Sequence, residues 1–129
     1  MLFRSDARFA TASFDHVLAF AGKNLDGSTI GIAECIPGLA GYACAAGPRT
    51  SVIQTISEST YDATDYHRWI LALHELGHTR GGIHGDSSYD TYSWWIFSTT
   101  GDTYMDTPFN GDELVLASDA NATNIDDHL

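Results

Sequence analysis

The 129-residue chain predicts a single α+β domain, and three observations predict it. Between Phe14 and Ser57, three short apolar or alternating segments are separated by turn-forming residues. From Asp62 to Leu76 neither Gly nor Pro interrupts the chain, and apolar residues wrap most sides of the helix it predicts. Beyond Gly81 the pattern breaks into loops and one last short helix. Strands feeding a buried helix, then a looser end, make an α+β or three-layer α/β arrangement.

In chain order, the first fourteen residues fit helix and strand equally. "FDHVLAFAG" (Phe14–Gly22) is short, apolar and closed by Gly, which predicts a buried strand. "LDGS" is a turn, and "STIGIAE" (Ser28–Glu34) alternates like a second strand. "IPGLAGYACAAGPR" is a glycine-rich loop, and "TSVIQTIS" (Thr50–Ser57) is a third strand. Asp62 or Thr64 caps the following helix, with Asp65 favourable beside its positive end. Trp69, Ile70, Leu71, Leu73 and Leu76 surround that helix, so it is expected to be central and buried. It ends near Arg80, whose side chain is placed to meet the last carbonyls before Gly81 and Gly82 break the helix. Asn110, with Glu113 three residues on, resembles a capping box for a short helix "GDELVLASD".

Composition narrows the function classes. Hydrophobic residues make up 43% of the chain, enough for a core and too much for a disordered segment. No apolar run approaches the roughly 18–20 residues of a membrane span. Net charge is −11, with seventeen acidic residues against six basic ones, which argues against a nucleic-acid partner. Solubility is the simplest use of that charge, and adaptation to salt is the next. Calcium is a further candidate ligand, since "NGDELVLASDANATNIDD" is rich in oxygen donors, although the Asp-x-Asp-x-Asp-Gly spacing of a dedicated loop is missing. Cys35 and Cys44 are either two free thiols or a pair; bonded, they would constrain the unfolded chain by about 2.5–3 kcal/mol. A bond would mean maturation in an oxidising compartment. "MLFRSDARF" lacks the apolar core of a signal peptide, so either the protein stays inside or a leader has been cut away; a secreted or extracellular protein is the expectation.

The chemistry concentrates in "LHELGHTRGGIHGD", where three of the six histidines fall within eleven residues. His74 and His78, four apart, present both imidazoles from one helical face. A catalytic zinc usually takes three protein ligands and keeps a fourth position for water. His84 can supply the third only if the chain reverses within one turn, and Gly81 permits that reversal without a Cβ penalty. Glu75 stands beside the first ligand, poised as general base toward a zinc-bound water that attacks a peptide carbonyl. By composition alone, a bare HExxH is expected about 0.008 times in a chain of this make-up, and the full HExxHxxGxxH roughly 3 × 10⁻⁵ times.

HELGHTRGGIH matches in full the signature of the metzincin clan of zinc metallopeptidases. The clan's second mark is a methionine-containing turn beneath the metal, for which Met105 in "GDTYMDTP" is the candidate. Upstream, "DHVLAFAGKNLDGSTIGIAECIPGLAGYACAAGPRTSVIQ" resembles the reprolysin (adamalysin) stretch that runs through a strand, a turn and the cleft's edge strand. The resemblance implies a metzincin-type zincin. Its upper half, over about 1–80, would hold a twisted mixed sheet and the buried active-site helix in an α/β/α-like stack; its lower half, about 81–129, would be loop-rich with a C-terminal helix. It further implies one catalytic zinc on His74, His78 and His84, Glu75 as general base, and Gly81 and Met105 supporting the site. Ile30, Gly31, Ile32 and Ala33 would be the edge strand that pairs with an extended peptide or protein substrate.

The chain departs from the family in three places. Only about fourteen residues precede "DHVLAF", where reprolysins have a strand, a long helix and a strand. No cysteine precedes Met105, and Thr107 replaces the tyrosine of astacin-like relatives. A catalytically inactive zinc-binding fragment or interaction module of metzincin origin is therefore the alternative reading.

Other residues carry weaker signals. His67 shares the face of His74 and reads as a surface or capping residue; His16 and His128 have no spacing argument. Tyr89, Tyr92, Trp94, Trp95 and Phe97 fit a pocket wall or ordinary packing equally. Asn121-Ala122-Thr123 is a glycosylation sequon.

Overall fold

The structure, a computed structural model, describes residues 15–58, 61–84, 90–94, 97–101, 103–105 and 118–126. Its elements are β1 (His16–Ala21), β2 (Gly31–Ala33), β3 (Arg49–Gln54), α1 (Asp65–Thr79), β4 (Asp90–Trp94), β5 (Phe97–Gly101) and α2 (Asp119–Asp126). They form a small mixed α+β fold: a three-stranded sheet in the order β1-β3-β2, a β4–β5 hairpin and two helices.

β3 is central because it can be buried on both faces: Thr50, Ser51, Ile53 and Gln54 are all buried. Its buried amide is satisfied, for Gln54 Oε1 accepts from the Leu25 N–H at 2.9 Å and Nε2 donates to Ile56 O at 3.0 Å. β1 runs parallel to β3, with His16 opposite Arg49, and β2 runs antiparallel, with Ile32 opposite Val52. All three strands are shorter than the sequence segments that predict them. β1 is also half-buried rather than buried, and its Phe20 is 65% exposed. Among the described strands it pairs on one side only, which leaves part of its surface uncovered.

α1 starts at its cap. The Thr64 side chain accepts from the His67 N–H at 3.1 Å, and Asp65 lies in the first turn. At the other end the cation that reaches a terminal carbonyl is Arg49, from β3, whose guanidinium donates to Thr79 O at 2.5 Å. Sequence reading assigned that task to Arg80. Ile70, Leu71 and Ala72 turn inward, and Leu71 and Ala72 join Ile53, Tyr61 and Ala63 in the core. The helix is not covered all round, as its apolar residues predict: Trp69 is 71% and Leu76 36% exposed. The sheet covers one face of a helix, and residues seven apart on the opposite face share its exposure.

His16 ties three elements together. Its Nε2 lies 2.9 Å from Ser51 Oγ in β3, and its Nδ1 lies 3.1 Å from Thr79 Oγ1 in α1. Thr79 Oγ1 gives its own proton to Leu76 O, so it accepts from His16 Nδ1–H, and Nε2 accepts from Ser51. Burial, then Arg80 and Arg49, lower the pKa of His16 and favour this neutral form.

Cys35 and Cys44 are bonded, with Cα atoms 5.0 Å apart. No helix among the described residues is long and apolar enough to cross a membrane. The hairpin β4–β5, with Thr91 opposite Thr100, stands where loops were expected. The expected helix over "GDELVLASD" lies almost wholly outside the described residues, as does half of the oxygen-rich stretch considered for calcium. α2 instead begins at Asp119, and its Asn121 N–H donates to Ser118 Oγ at 3.1 Å.

Candidate metal centre and cleft

The helical spacing of His74 and His78 puts both rings on the buried face of α1, and the glycine turn brings His84 back to meet them. Gly81 has φ 99°, a left-handed conformation that side chains with a Cβ rarely adopt. Gly82 follows under a different constraint, space: a Cβ there would lie 3.0 Å from Gly77 O and 3.1 Å from Met105 Cε. The three Nε2 atoms then form a triangle, with His74–His84 at 2.9 Å and His78 at 3.0 Å from each. Among the described residues, this is the one group of His, Cys, Asp or Glu able to hold a metal ion.

Hydrogen bonds at the far ring nitrogens decide what the triangle offers. His74 Nδ1 lies 2.8 Å from Tyr104 O, and His78 Nδ1 lies 2.9 Å from Gly82 O. Carbonyl oxygens only accept, so both Nδ1 atoms carry the proton and both Nε2 atoms present bare lone pairs. At most His84 can place a proton in the triangle, and the His74–His78 contact still has two lone pairs facing each other. Burial, reinforced by the neighbouring histidines, brings His74 down to about 3. Burial also lowers His78. Protonation is therefore a poor way to relieve the contact. A cation satisfies all three nitrogens at once, and the backbone acceptors are those that orient ligating imidazoles.

Glu75 lies beside this group, 4% exposed, and its Oε2 is buried with no hydrogen-bond partner. Burial pushes its carboxyl up to about 8. Its other oxygen and Leu71 lie so close to Gly31 of β2 that any Cβ at that position would collide with them. Gly31 thus lets the helix approach the edge strand.

Together they line an open cleft of about 570 Å³, whose walls include Ile30, Gly31, Ile32, Ala33, Glu75 and the three histidines. Among the described strands, β2 is at an edge of the sheet. Ile30 O accepts from Gln54 N–H, and Glu34 N–H donates to Thr50 O, so the even-numbered residues here turn their backbone groups toward β3. By the alternation of an antiparallel ladder, Gly31 and Ala33 turn theirs away from it.

Met105 is fully buried, with its Sδ against Gly77 and its methyl against Gly82. The turn at residues 103–105 therefore does two things: it fills the space under the helix and supplies the Tyr104 carbonyl to His74.

Several contributors carried no sequence signal. Tyr104 and Gly82 act through backbone oxygens. Ile36 and Tyr42, from the disulfide-closed loop, and Tyr61, Asp62 and His67, from the start of α1, also line the cleft. Their residue types were visible, but their convergence was not. His67 approaches Asp62 O through Nδ1 in an exposed contact just before α1, as the surface or capping reading expects, and it also lines the cleft. The sequon asparagine, Asn121, is 3% exposed and holds the backbone of Ile83; burial opposes its use as a glycan acceptor. Of the five aromatics weighed for a pocket wall, Tyr92, Trp94 and Phe97 fall in β4 and β5, while Tyr89 and Trp95 lie outside the described residues. No protein-family model matches the chain, and no curated protein matches it significantly.

Proposed function

We propose that the chain is a zinc endopeptidase of metzincin type, acting on extended peptides or proteins. The observation that carries this reading is the convergence of three imidazole Nε2 atoms beside a buried carboxylate, in a cleft bordered by an edge strand. The full HExxHxxGxxH spacing, the buried Met105 under the helix and the mixed sheet support it. The Cys35–Cys44 bond supports an extracellular setting.

His74, His78 and His84 would hold the ion, which supplies a Lewis acid that acidifies water and polarises a carbonyl. The substrate backbone adds to β2 through the outward groups of Gly31 and Ala33. Glu75 takes a proton from the attacking water on its unpartnered oxygen and passes it to the leaving nitrogen, so the carboxylate is restored as the amide bond breaks. Neutral imidazoles lend Glu75 no positive charge, so its ionised form at neutral pH depends on the cation they hold.

The test is Glu75→Gln. The amide keeps the size of the side chain but cannot accept the proton. Cleavage of a quenched peptide is expected to fall about 10²–10⁴-fold, with zinc retained near one per chain. Loss of zinc would make Glu75 a ligand. Stoichiometric zinc in the unmodified protein without chelator-sensitive cleavage would favour the inactive module instead.

A further inference from the structure

His74 and His78 are rigidly placed: both sit on α1, and each is locked by a bond from Nδ1. His84 lies beyond the helix: it is exposed and follows two glycines, one of them with φ 99°, so chain entropy opposes its placement. Gly82 is anchored to Gly77 by its N–H at 2.8 Å. The next residue, Ile83, gains little from burial, because it is 41% exposed.

What holds Ile83 is Asn121, from the distant helix α2. Asn121 Oδ1 accepts from Ile83 N–H at 2.9 Å, and Nδ2 donates to Ile83 O at 3.0 Å. One amide thus satisfies both backbone groups of a single residue, and it is 3% exposed. Ser118, also buried, fixes Asn121 in turn by accepting its N–H at the start of α2. Asn121 thereby bonds the carbonyl of the peptide unit that leads into the third imidazole.

We infer that Asn121 is a positioning residue for metal capture: α2, through this one side chain, sets where His84 stands. The inference rests on reading the three histidines as a metal site. It adds that metal affinity, more than the stability of the metal-free fold, depends on a residue 37 positions beyond His84 in sequence. Asn121→Ala removes both bonds. Asn121→Asp keeps an acceptor for Ile83 N–H but turns a second acceptor toward Ile83 O.

The experiment titrates zinc against a chromophoric chelator, with unfolding of the metal-free proteins followed in parallel. Both variants are expected to weaken zinc binding about 10–100-fold, the range found when outer partners of metal ligands are removed. In a His84→Ala background, Asn121→Ala is expected to cause no further loss, because the residue it positions is gone. The cobalt-loaded Asn121→Ala protein should show an altered visible spectrum, which reports ligand number and geometry. If Asn121→Ala does not fold, the Asp variant carries the test alone. Unchanged zinc affinity in a folded variant overturns the inference, as does an equal further loss in the His84→Ala background. An unmodified protein that binds no zinc overturns the metal reading instead, so the two failures are distinct.

Discussion

Glu75 faces opposed requirements in folding and in the proposed chemistry. A carboxyl that is 4% exposed with one unpartnered oxygen is costly to ionise, and burial holds it at about 8 against an ordinary 4.5. The folded, metal-free protein therefore keeps a proton that the unfolded chain has lost. Between about 4.5 and about 8 the folded state binds more protons, so this group costs stability as pH rises through that window. Glu75→Gln removes the titration. In chelator, the variant is expected to match the unmodified protein near pH 4 and to exceed it by on the order of 1–3 kcal/mol near pH 9. Urea unfolding at several pH values checks this, and identical pH slopes would refute it. The other residues of the site differ in how visibly they announce themselves. The convergence of His74, His78 and His84 was legible because a group able to hold a metal imposes a spacing, and Gly81 because a reversal needs its conformation. Tyr104 and Gly82 act through carbonyls that every residue possesses, so no letter marks them.

At the scale of elements, α1 was legible almost to the residue, because its limits are chemical: Thr64 caps one end and paired glycines stop the other. The strands were legible as segments but not as partners. Nothing in "HVLAFA" shows that it lies parallel to β3, since pairing direction is set by the connections and by the helix packed on them. Trp69 and Leu76 misled for a related reason: apolar type records what can be buried, and the sheet decides which face is. The hairpin β4–β5 was missed because the aromatics of "DTYSWWIFSTTG" were weighed as pocket lining rather than as strand formers. The proposed role of β2 gives a test that leaves the sheet intact. Ala33 turns its N–H away from β3, and Pro is tolerated on such an edge. Ala33→Pro is expected to raise KM roughly tenfold, the effect of about 1.4 kcal/mol for one lost backbone bond, while zinc content stays unchanged. An unaltered KM would mean that the substrate does not add to this edge.

At the scale of the whole molecule, two clamps act on separate parts of the chain. The disulfide closes the loop after β2, and the three histidines join the end of α1 to the segment held by α2. The first acts mainly on the unfolded chain and is worth about 2.5–3 kcal/mol. On the proposed reading the second would act by mass action: zinc held by the folded state alone would add about 2.7 kcal/mol at a hundred times its Kd. For a domain of this size that corresponds to a rise in Tm of roughly 10 °C. Both β2 and α1 also pack on β3, so opening the disulfide removes neither support of the metal group. Reduction of the zinc-loaded protein is thus expected to lower stability without releasing zinc. Chelation is expected to lower it by the binding contribution, and the two losses together should add to within about 0.5 kcal/mol, as for independent sites. Calorimetry of the four states, zinc-loaded or stripped and oxidised or reduced, measures all three quantities. A loss on double treatment well beyond the sum would mean that the loop carrying Ile36 and Tyr42 supports the histidines as well as the cleft wall. Release of zinc on reduction alone would mean the same, and the two clamps would then be one.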